Sequence, residues 1–90
     1  MPYIAKGERE TFDNIIDQFS AIPGGIEDQG ELNFVFTRIA QVYLNQHGLR
    51  YKTLSEITSA FECAKLEFYR RVVAPYEDSK ISQNGDVYGS

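Results

Sequence analysis

The side chains best suited to chemistry lie late in the chain: Tyr69, Arg70, Arg71, Tyr76 and Lys80, with Arg50-Tyr51-Lys52 upstream. Arginine presents a planar fork that holds phosphate through paired N–H donation and also stacks on rings. Tyrosine offers a flat face for a base and a hydroxyl for hydrogen bonding. Such residues around the end of one helix suit a nucleotide-like anion. Ion pairing competes with that use. Glu67 stands four residues before Arg71, a favourable helix spacing, and cations near a helix C-terminus are stabilised by its dipole. Arg70 and Arg71 differ by about 100° around the axis, so they cannot address one solvent patch in the same way.

Other chemistries find no support in the spacing. The chain has one histidine, His47, and one cysteine, Cys63, which cannot form a zinc set and imply no orienting third group for a nucleophilic dyad. Glu27, Asp28 and Glu31 flank a glycine-rich turn without EF-hand spacing and read as helix capping and solvated charge. Pro23-Gly24-Gly25 lacks the Lys and Ser/Thr of a phosphate loop and reads as a turn. A helix-turn-helix reading fails because Leu54-Ser55-Glu56-Ile57-Thr58-Ser59 offers no cation to a phosphate backbone. The sequence therefore nominates no catalytic residue, no metal ligand and no cofactor.

Three helical stretches are expected to position the cluster. With 90 residues and 42% apolar content, the chain is long enough for one small folded domain. About residues 8–21, Phe12, Ile15, Ile16, Phe19 and Ile22 share a face. About residues 30–47, the stripe is Leu32, Val35, Phe36, Ile39, Val42 and Tyr43, with Phe34 pointing away from it; Asp28 and Glu31 have capping-box spacing, and Gly48 with Leu49 fits a Schellman stop. About residues 54–74, Leu54, Ile57, Phe61, Ala64, Phe68 and Val72 form the stripe, opened by a Thr53/Glu56 capping box. The expected fold is all-α: a three-helix domain over 1–75 and a mostly irregular C-terminal tail over 76–90.

The third helix carries a second apolar stripe, Leu66, Tyr69 and Val73. A monomer needs only one. The tail or the Met1–Ala5 arm would cover it, or a second copy would, since small domains bury a modest share of their surface and association is one remedy. The expectation is a homo-oligomer. The net charge of −4 argues against a general nucleic-acid coat, and no apolar run approaches a membrane span. A lone cysteine and no visible secretory signal point to a reducing, cytoplasmic setting.

Four blocks carry a family resemblance: Met1-Pro2-Tyr3-Ile4, Gly30-Glu31-Leu32-Asn33, the run from Leu66 through Tyr69-Arg70-Arg71 to Asp78, and Asn84-Gly85-Asp86-Val87-Tyr88. Together they resemble an uncharacterised domain-of-unknown-function family of short phage and bacterial proteins. Phe34 stands where that family more often has Tyr. The resemblance implies a phage or prophage origin, in the cytoplasm of a bacterial host, and brings no assigned activity or site.

These observations set the functional expectation: a non-enzymatic homo-oligomer that sequesters a small nucleotide-like ligand, for instance a host immune signal. Arg70 and Arg71 would meet phosphates, Tyr69 and Tyr76 would stack or cap the base, and Lys80 would close the site. Asn33 is a further polar candidate. The alternative is an inhibitor or adaptor docking a host protein through Leu66, Tyr69, Val73 and Phe34. A hydrolase using Glu and Asp with a bound cation is the third class.

Overall fold

The computed structural model describes residues 1–89 and is all-α, with no strand among the described residues. Helix α1 spans Lys6–Asp17 and runs into a 3₁₀ turn, Gln18–Ala21. Helix α2 spans Gln29–His47 and α3 spans Tyr51–Phe68. A π-helical turn, Tyr69–Val73, leads directly into α4, Ala74–Asn84. The chain divides into two compact units, Tyr3–Thr58 and Met1–Pro2 with the residues from Ser59 on.

In the first unit, backbone chemistry sets the element ends. The Ala5 carbonyl accepts the Glu8 N–H at 2.9 Å and opens α1, while Arg9 Nε donates to the Ile4 carbonyl at 2.8 Å and ties down the N-terminal arm. The 3₁₀ turn ends before Pro23-Gly24, where Gly25 N–H closes onto Ile22 at 2.8 Å. Asp28 caps α2 as its spacing requires, accepting the Glu31 N–H at 2.8 Å. Glu31 reaches back one residue further than a standard box, to the Glu27 N–H at 3.0 Å. Gly48 ends α2 with φ 86° and ψ 161°, a region open essentially to glycine alone. That geometry is not a Schellman stop, and Leu49 stays exposed.

The start of α3 differs from the expected one. The helix begins at Tyr51, with the Arg50 carbonyl accepting the Leu54 N–H at 3.1 Å, so Thr53 lies inside the first turn and caps nothing. Thr53 is fully buried, and its Oγ1 has no hydrogen-bond partner. Glu56, the expected partner in that box, instead accepts from Tyr43 Oη on α2 at 3.1 Å.

The second unit departs further. The stretch expected as an irregular tail is helical to Asn84, and only the residues after it are irregular. Pro75 explains why the helix does not stop there. Inside a regular helix its missing N–H and its ring disrupt the turn. Here the turn before it widens, with the Ala74 N–H bonding the Tyr69 carbonyl, and Pro75 falls at the start of α4, where no donor is needed. Gly85 then ends α4 at φ 90°.

The apolar stripes form as the periodicity implies, but no apolar side chain among the described residues is buried. Phe19, Val35, Tyr43, Leu44 and Ile57 are half-buried, while Phe12, Ile15, Ile16 and Ile39 are each more than half exposed. On α3 and the π turn, Leu66 and Tyr69 remain exposed and Val73 is half-buried.

Candidate functional site

The Tyr69–Lys80 stretch is built on the π turn and the first two turns of α4. A π turn places one extra residue in the helical circuit, and such turns recur at functional sites. Tyr69, Arg70 and Arg71 all lie in it. Arg70 is already engaged: its Nε and Nη2 both donate to Glu67 Oε1, at 2.7 and 2.6 Å. The expected Glu67–Arg71 pair is therefore replaced by Glu67–Arg70 at i, i+3. One carboxylate oxygen serves one guanidinium, and Arg70 takes it with two donors. Among the described residues Arg71 has no ion-pair partner.

Lys80 and Tyr76 come together one turn on. The Lys80 ammonium lies 5.4 Å from the Tyr76 ring centroid, within cation–π range. Its Nζ also reaches Gln83 Oε1 at 3.5 Å. Ser79 Oγ donates to the Tyr76 carbonyl at 2.6 Å and stiffens that turn. The Tyr69 and Tyr76 side chains are both exposed, and Lys80 lies over one face of the Tyr76 ring. The second unit thus gathers five of the six expected residues on one short helical stretch. Asn33 lies on α2 in the other unit, where its carbonyl accepts from Thr37 Oγ1 at 2.9 Å.

The stretch can hold an anion and stack a ring. Arg71 is a guanidinium without an ion-pair partner among the described residues, Lys80 sets a charge over the Tyr76 ring, and Arg70 is held by Glu67. Cys63 is exposed on α3, and His47 packs its ring on Tyr43 with centroids 4.2 Å apart. Among the described residues no group of three metal-ligating side chains converges. No described helix is long and apolar enough to cross a membrane.

Two features escaped the sequence. The first is the Tyr43–Glu56 bond that joins α2 to α3. Partial burial, with the Glu56 carboxylate as hydrogen-bond acceptor and neighbouring charge, pushes the Tyr43 phenol above its ordinary value. The second is a groove of about 260 Å³ on the first unit, lined by Phe19, Phe34, Val35, Arg38, Ile39 and Val42. No residue of the Tyr69–Lys80 stretch lines it. Arg38 Cζ lies 6.0 Å from the Phe34 ring, which places a cation on this apolar floor. The i, i+4 spacing of Phe34 and Arg38 was the available signal.

The chain is thus a small all-α protein carrying an open, cation-rich aromatic stretch. A family described as a domain of unknown function (DUF6899) matches residues 1–87, and the chain belongs to it. Comparisons with curated proteins and with solved structures give no match.

Proposed function

We propose that the chain is a non-enzymatic binding protein that associates with itself and sequesters a small nucleotide-like anion at Tyr69–Lys80. A phage origin, which the motif resemblance implies, makes a nucleotide immune signal of the host a natural cargo, held in the bacterial cytoplasm. The observation that supports this most is Arg71, an arginine on a π turn with no carboxylate partner among the described residues, near exposed tyrosines in the same helical run. Arg71 would take the phosphate first, Arg70 would join it at the expense of Glu67, and Tyr69 and Tyr76 would meet the base, with Lys80 over Tyr76. The stretch is open in one chain, so sequestration calls for a second surface, which self-association would supply.

Isothermal titration with cyclic di- and trinucleotides and ADP-ribose derivatives tests this. Saturable heat with at least one of them, and recovery of that ligand unaltered by mass spectrometry, is expected. Silence with all of them at concentrations on the order of tens of micromolar removes the proposal. Conversion of the ligand would move the chain to the enzyme class.

A second reading draws on Leu66 and Tyr69, 55% and 57% exposed on one helical run, and separately on Phe34, 61% exposed on α2 of the other unit. These fit an inhibitor or adaptor docking a host protein through a helix face. A stoichiometric bacterial protein retained on the immobilised chain, lost in Leu66→Asp, supports that reading over the first.

A further inference from the structure

We infer that the apolar groove on α2 is an interface with a second copy of this chain, packed antiparallel across a two-fold axis between Phe34 and Val35. The groove is unfilled: Phe34 is 61%, Ile39 56% and Val42 51% exposed. Three apolar side chains on one helical floor, in a chain with no buried apolar side chain among its described residues, lack the burial that stabilises a small fold.

Charge selects the occupant and its direction. Glu31 and Arg38 are seven residues apart on α2, so they share a face, with Phe34 and Val35 midway between them. A two-fold interface repeats every contact reciprocally. Antiparallel packing centred on Phe34–Val35 sets Glu31 against the partner's Arg38, and Arg38 against the partner's Glu31. Both groups are ready for it. Glu31 spends only Oε1 on the Glu27 N–H, and Arg38 has no carboxylate partner among the described residues. A parallel pair would set like charges opposite each other, so the charge pattern opposes that arrangement.

This interface shares with the proposed function only the premise of self-association. It needs no ligand and uses none of the Tyr69–Lys80 residues. A dimer that binds no nucleotide would remove that function and leave the interface standing.

The test is a charge swap read by light scattering after size exclusion and by sedimentation equilibrium, with helicity followed by circular dichroism. The full chain is expected to be dimeric or a multiple of two. Arg38→Glu should weaken association by about tenfold or more. Adding Glu31→Arg should restore it, because the swapped pair is again complementary. A monomeric wild-type chain, with its apolar surface covered by its own residues, overturns the inference. So does an Arg38→Glu variant that associates as the wild type does. Should Arg38→Glu fail to fold, Arg38→Gln decides, since it removes the cation and leaves the Glu31 contact with the Glu27 N–H in place: association weaker than that of the wild type supports the interface, and unchanged association refutes it.

Discussion

The corner between α2 and α3 and the Tyr69–Lys80 stretch spend their polar groups in opposite ways. At the corner, Tyr43 reaches thirteen residues along the chain to Glu56, His47 stacks on Tyr43, and Thr53 is shut away from water. In the Tyr69–Lys80 stretch, the contacts Arg70–Glu67, Lys80–Gln83 and Lys80–Tyr76 span three or four residues within one helical run. Contacts of the first kind fix elements against each other. Contacts of the second kind arrange side chains on a surface and leave them free to exchange partners. The corner joins two helices, and the polar contacts of the stretch stay within one helical run.

Arg71→Ala should sharpen that contrast most. Removing a charged hydrogen-bond donor costs about 1.5–3 kcal/mol, so nucleotide affinity should fall roughly 10- to 150-fold by titration, with the melting temperature unchanged. Arg70→Ala should cost less affinity, because binding through Arg70 must first draw it from Glu67. Equal effects from both would break the assignment of Arg71 as the leading anion contact.

Gly48→Ala should do the reverse, harming stability and sparing the stretch. Nothing crowds a Cβ at Gly48, so the cost is backbone strain alone, about 1–3 kcal/mol for a non-glycine residue in that region. Denaturant unfolding reads it, and nucleotide affinity in the folded protein should not move.

Tyr43→Phe should lower the melting temperature by a smaller amount. The Tyr43 phenol is raised in the folded chain, so the folded state holds that proton more tightly than the unfolded one. Its stabilising share is complete below the ordinary tyrosine value of about 10 and is lost as pH climbs through the raised folded value. Unfolding measured from neutral to strongly alkaline pH should show a loss that Tyr43→Phe reduces.

Glu67→Gln should produce the smallest change. It releases Arg70 from its carboxylate and should raise nucleotide affinity a few-fold, visible by titration as a gain rather than a loss.

Periodicity made the helices legible, because an apolar stripe on one face is written directly in residue spacing. The Asp28 cap was legible for the same reason: its partner is three residues away. The α4 extension was not. Polar residues with scattered apolar ones resemble a free tail, and Pro75 reads as a stop unless the turn before it widens. Thr53 misled because its spacing to Glu56 is that of a capping box, while a partner thirteen residues upstream of Glu56 claims the carboxylate. The site residues were readable as types, and Tyr76–Lys80 as a pair. Which arginine Glu67 would hold was not readable, since i+3 and i+4 both lie within its reach.

The account rests on apolar helix faces that a single chain leaves uncovered, so thermal unfolding followed by circular dichroism over a wide range of protein concentration tests it most directly. Folding coupled to association makes the midpoint rise with concentration, and that rise is the predicted result. A midpoint independent of concentration, in a chain that light scattering finds monomeric throughout, would contradict it.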